Sequence, residues 1–190
     1  MPPTINSPAM RACLVVQASD SIVASTYKLI KLDEIVKECA LLNNAVPSSE
    51  AAIRCDMFKL PIEAVHAAID ILADIRKHNS KHTDKEIIVH IAITFGEVRL
   101  EREHMTDLPT CVGPSLSRAR ELVQTSLPNY ILVDDIIYGN LKQHSIDFRL
   151  ITRDDAPDTP FYSVKTNEDV SDETSRRINS LNMKIEKLER

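Results

Sequence analysis

Hydrophobic residues along this chain switch repeatedly between two periods. ACLVVQAS is an apolar run of strand length, and after it Ile22, Leu29, Ile30, Leu32, Ile35, Val36 and Leu42 can share one face of a helix. The NNAVPSS cluster breaks that helix, and AAIRCDMFKLP alternates as a second strand or hairpin ending before Pro61. In IEAVHAAIDILADIRKHN the apolar residues Ile62, Val65, Ala68, Ile69, Leu72 and Ile75 recur at helical spacing, which predicts an amphipathic helix. EIIVHIAITFGEVRLE reads as a long strand interrupted at Gly96, where the backbone bends or another group approaches closely. LSRARELVQTS predicts a short helix, YILVDDIIYGNL a strand and turn, and DFRLITRD and FYSVKT two late strands. The order β, α, β, α, β, α, β, β implies one sheet backed by helices on one face. Such alternation would also suit a parallel doubly wound sheet, but the short spacing around residues 46–61 favours a mixed or antiparallel α+β sheet.

The two ends break the pattern. Residues 1–10 hold three prolines and read as a flexible leader. Beyond residue 166 a polar linker leads into a segment where Ile178, Leu181, Ile185 and Leu188 are spaced 3, 4, 3, the rhythm of a coiled-coil seam. Two heptads do not hold together alone. This C-terminal amphipathic helix either docks on its own domain or pairs between chains of a dimer.

Composition narrows the class. With 190 residues the chain suits one domain and a tail; 43% hydrophobic and 27% charged residues describe a globular protein. No apolar run is long enough to span a bilayer, and no signal peptide is visible, so a cytoplasmic location is expected. A net charge of -5 with few aromatic residues lacks the footprint of a nucleic-acid binder. Cys13, Cys39, Cys55 and Cys111 form no CxxC pair and read as isolated, reduced, buried thiols rather than a disulfide or zinc site. His78 and His82 read as a chance pair in a polar loop.

Two of the chain's three glycines, Gly96 and Gly113, fall in the run IAITFGEV followed by VGPSLSRAREL and NYILVDDIIYGNL. In order and spacing these segments resemble the class III adenylyl and guanylyl cyclase homology domain over roughly residues 11–166. The resemblance implies a ferredoxin-like, cyclase-type mixed sheet. Gly96 and Gly113 then serve the fold, at the bend of a strand and the turn into a helix. FYSV resembles the family's closing strand, although the customary Lys-Gly before it is missing.

The chemistry implied by the resemblance is attack of a ribose hydroxyl on the α-phosphate of a nucleoside triphosphate, assisted by two metal ions held by two aspartates. Asp20 is the candidate for the first. The second is expected six residues before Phe58 and nine before Pro61, and position 52 is alanine; from Asp56 the following helix would begin four residues too soon. The base-reading lysine would fall at Ser48 and the specificity aspartate at Thr110, which can still hydrogen-bond a nucleotide. The transition-state pair would fall at Ser117 and Glu121, where a glutamate repels a triphosphate. Arg118 and Arg120 are near, but one residue along a helix is a rotation of about 100°.

The leading reading is a catalytically degenerate cyclase homology domain that acts as a dimerisation or regulatory signalling module. It would pair with itself or with a cyclase-like chain, with no cofactor expected. One alternative is a divergent active cyclase using Mg or Mn, with Asp20 beside Asp56 or Glu50 and with Arg118 or Arg120 on the phosphates. Another is an unrelated α+β protein-interaction domain.

Overall fold

The computed structural model describes residues 8–19, 25–47, 53–101, 110–151 and 160–166. Its elements are β1 (Ala9–Ala18), α1 (Thr26–Leu42), β2 (Val46–Pro47), β3 (Ile53–Phe58), α2 (Pro61–Lys81), β4 (Val89–Glu101), β5 (Thr110–Val112), α3 (Pro114–Gln124), β6 (Ile131–Val133), α4 (Asp135–Leu141), β7 (Phe148–Ile151) and β8 (Phe161–Val164). The leader, Asp20, Ser48, Glu50, position 52 and the tail residues Ile178, Leu181, Ile185 and Leu188 lie outside the described residues.

The sheet runs β2-β3-β1-β4-β6-β8-β7, with β5 paired to the far end of β4. Strand β1 is antiparallel to both β3 and β4, so Val15 lies between Cys55 and Ala92. The β4–β6 pair is parallel, with Ile91 opposite Ile131, and β8 is antiparallel to β6 and β7. The architecture is therefore α+β with a mixed, mostly antiparallel sheet, as the short spacing of residues 46–61 implies.

β1 is apolar at consecutive positions because both its faces are covered. Ala12, Leu14 and Val16 pack with α1, α2 and α4, while Cys13 and Val15 pack with α3. The helices thus lie three on one face and one on the other, where the sequence reading put them all on one. The amphipathic stripe Leu116, Ala119, Leu122 and Val123 requires that α3 be covered, but a stripe does not say which side of the sheet covers it.

Local chemistry sets the element ends. Helix α2 starts with Pro61, whose missing N–H is no loss in a first turn, and the Glu63 carboxylate accepts the Leu60 N–H at 3.0 Å. The helix runs on to Lys81, so His78 is in its last turn rather than in a loop; it is buried, 4.8 Å from the His82 ring by centroids. The turn read after β6 is instead α4. Asp134 caps it by accepting the Ile137 N–H at 2.8 Å, and Ile137 and Leu141 are buried one turn apart.

β4 passes through Gly96 without a break, with Gly96 opposite Arg11. Its glycine allows a close approach: a Cβ there would sit 3.2 Å from the Ser115 Cβ. Gly113 is more constrained. Its φ is 143°, and an added Cβ would lie 2.7 Å from the Glu97 carbonyl oxygen. Gly139 has open space around it. Gly113→Ala should lower stability by about 2 kcal/mol or more, whereas Gly139→Ala should raise it by about 0.5–1 kcal/mol, as read from urea unfolding. Equal effects at the two positions would contradict the assignment.

Candidate functional site

Of the positions that the cyclase resemblance singles out, Ser117, Arg118, Arg120 and Glu121 lie on α3 and Thr110 lies on β5. Thr94 Oγ1 donates to the Ser115 carbonyl at 2.7 Å and lies 3.0 Å from the Ser115 hydroxyl, so Ser115 is buried and tied to the sheet. That anchoring turns Ser117 and Glu121, one turn apart, outward to solvent. The Ser117 hydroxyl donates back to the Gly113 carbonyl at 3.3 Å. Thr110 is in β5 opposite Glu101.

Arg118 is held by two acids. Its Nη2 donates to Asp135 Oδ1 at 2.6 Å, and its Nε is 3.8 Å from Asp134 Oδ2. The pairing joins α3 to the start of α4. Arg120 is half-buried, and its charge bears on Cys111. Both arginines follow Ser117 on α3, near its position as the sequence reading has them, and Arg118 is directed at carboxylates.

Asp56 has a different setting. It is fully buried on the face of β3 that carries Phe58, not the face that carries Cys55 and Met57. Arg54 Nε donates to Asp56 at 2.9 Å, and Arg54 Nη1 donates to Asp33 of α1 at 2.6 Å. Asp56 is therefore on the opposite side of the sheet from α3. Asp20, Glu50 and position 52 lie outside the described residues, and among those described the one cluster of three or more side chains able to ligate a metal is made of cysteines.

That cluster was not legible in the sequence. Cys13 on β1, Cys55 on β3 and Cys111 on β5 are buried with their Sγ atoms all within 4.8 Å of one another. Hydrogen bonds with Cys111 and then Cys55 pull the Cys13 thiol down, against burial, while those with Cys111 and Cys13, together with burial, push Cys55 well up. Cys39 is apart, its Sγ 3.7 Å from Asp74 Oδ2, and burial pushes its thiol up to about 12.

No protein-family model and no curated protein sequence matches the chain. Solved structures do match in fold. The dimeric guanylyl cyclase domain of the RhoGC fusion protein from the aquatic fungus Blastocladiella emersonii superposes with a TM-score of 0.70 at 15% identity. The match covers 83% of this chain and 97% of that one. The guanylate cyclase domain of RhGC from Catenaria anguillulae, solved in complex with GTP, gives a TM-score of 0.70 at 16% identity over 84% and 98%. The adenylyl cyclase CyaB from P. aeruginosa gives 0.69 at 14% over 85% and 97%. The chain thus has the fold of class III adenylyl and guanylyl cyclase domains, as its glycine-bearing segments imply. No helix among the described residues is long and apolar enough to cross a membrane.

Two buried acids give measurable consequences. Removing Arg54 would leave Asp56 buried without its cation, so Arg54→Met should destabilise by about 3–5 kcal/mol. A loss below about 1 kcal/mol on chemical unfolding would show the pair to be inessential.

Burial pushes the Asp134 carboxyl up, against the Ile137 amide and Arg118, which pull it down. A raised folded value means that its stabilising contribution is fully present below the unfolded carboxylate value of about 3.9. That contribution is lost as pH rises through the folded value. Asp134→Asn keeps an oxygen to cap α4. It should be at least as stable as the parent at pH 7, with the advantage fading toward pH ~4. An advantage that grows on acidification would reverse the sign.

Proposed function

We propose that this protein is a catalytically degenerate nucleotidyl cyclase homology domain, cytoplasmic, acting as a dimerisation or regulatory module in cyclic-nucleotide signalling. The observation that carries the reading is the placement of Asp56. Position 52 itself is alanine, and Asp56, one of the two acids that could stand in for it beside Glu50, is turned to the far face of the sheet and bound by Arg54. With alanine at position 52, a pair of hard cations would have one carboxylate fewer to hold it.

The other positions support the same reading. Arg118 is engaged by Asp134 and Asp135, and Glu121 would set a negative charge where a triphosphate develops more. Asp20 keeps the residue type of a metal ligand, and Thr110 keeps a hydroxyl where a nucleotide base would lie. A dimer face can outlast the chemistry because it is self-complementary through packing rather than through reacting groups. The partner is a second copy or a cyclase-like chain, and the tail seam of Ile178, Leu181, Ile185 and Leu188 would raise the local concentration that favours pairing.

Sedimentation of the purified protein should show a concentration-dependent dimer. Calorimetric titration with ATP or GTP in magnesium and then manganese should show no metal-dependent binding at millimolar nucleotide. Tight metal-dependent binding would restore the divergent active cyclase, and a monomer at high concentration would remove the pairing function.

A further inference from the structure

The face of the sheet under α3 holds a group of side chains that neither the fold nor the proposed function uses. Cys13, Cys55 and Cys111 come from three different strands and converge, with Sγ atoms within 4.8 Å of one another and all three side chains at most 1% exposed. Burial of three cysteines in a core needs no explanation one at a time, because free cysteine behaves as a small apolar residue. Convergence of three sulfurs on one point is a separate observation. Packing alone would be met equally by valine or alanine, as it is by Val15 and Ala92 in the same cluster.

We propose that Cys13, Cys55 and Cys111 form a binding site for a single soft monovalent cation, Cu(I), held by three sulfurs. A metal–sulfur distance of about 2.3 Å puts the sulfurs of a threefold site about 4 Å apart, so the trio needs to close by about 1 Å or less from its present limit. Strand β5 is short, and among the described residues its one strand partner is the end of β4, so a shift of Cys111 on that scale disturbs few ladder hydrogen bonds.

The surroundings select the cation. Structural zinc is almost always four-coordinate, and no fourth His, Cys, Asp or Glu joins the group among the described residues. Met57 lies directly opposite Cys13 in the β1–β3 register and is buried in the same cluster, so the further neighbours are soft as well. Thiolate and thioether ligands favour Cu(I), while hard oxygen donors are what magnesium or manganese require. Each sulfur that binds as a thiolate releases its proton to solvent, a sulfur that stays a thiol binds through its lone pair, and copper remains Cu(I) throughout. The site would tie the strand that bears Thr110 to the centre of the sheet. It stands whether or not the domain is a cyclase relative in function.

The test is anaerobic titration of the reduced full-length chain with Cu(I) presented as its bicinchoninate complex, followed by X-ray absorption on the loaded protein. The expected result is one copper per chain withdrawn from the chelator, three sulfur neighbours, and a raised Tm. Cys111→Ala should lose at least ten-fold in affinity, while Cys39→Ala, outside the cluster, should bind as the parent does. Circular dichroism of each metal-free variant establishes that it folds, and Cys55→Ala replaces Cys111→Ala if the latter does not. No copper withdrawn, fewer than three sulfur neighbours, unchanged uptake by the cluster variant, or preference for zinc over Cu(I) in direct competition would each overturn the assignment.

Discussion

The approach of α3 to β4 is the contact on which the rest of the structure depends. At Gly96 the helix backbone comes so near the strand that a methyl group would press on Ser115, and at Gly113 the chain turns into the helix at a φ that side chains resist. The Thr94 hydroxyl then fixes the first turn through Ser115. With that turn fixed, the direction of every residue on α3 follows from helical geometry. Leu116, Ala119, Leu122 and Val123 go to the sheet, Arg118 reaches the start of α4, and Ser117 and Glu121 face out. The two glycines thus explain the fold without any appeal to chemistry.

The same contact divides the interior in two. Beneath α1, α2 and α4 the core is mainly aliphatic and carries the buried pair of Arg54 with Asp56. Beneath α3 the core is smaller and rich in sulfur. The ion pair is better understood as a joint between β3 and α1, through Asp33, than as a net source of stability, since desolvation offsets much of what a buried pair gains. Strand alternation places Asp56 on the face away from α3, and the pair with Arg54 holds its carboxylate there.

Much of the fold was legible because hydrophobic period carries it. The stripe of α2 and the doubly buried run of β1 are unambiguous, and the short spacing before Pro61 favours antiparallel pairing. Helix α4 was hidden because it has only seven residues and contains Gly139, which makes YGNL read as a turn. The side of the sheet taken by α3 was hidden because an amphipathic stripe records burial but not its partner. His78 was misplaced because polar residues in the last turns of α2 mask the helix. The thiol cluster could not be found at all: alternation says that Cys55 and Met57 share a face, but only the β1–β3 register and the position of β5 bring Cys13 and Cys111 to them. The candidate nucleotide positions came from resemblance, and those within the described residues are now placed on α3 and β5.

What emerges is a cyclase-type scaffold whose shape is maintained by small residues and packing, in which Arg118 is engaged by carboxylates and Asp56 by Arg54; on the reading proposed above, it no longer turns over nucleotide. The central claim is that form has been kept without turnover. Mass-spectrometric detection of cyclic AMP and cyclic GMP, after long incubation of concentrated protein with ATP or GTP and manganese, tests it most directly. The account predicts no cyclic product above the protein-free background. Cyclic nucleotide that accumulates with enzyme concentration and disappears in Asp20→Ala would contradict it.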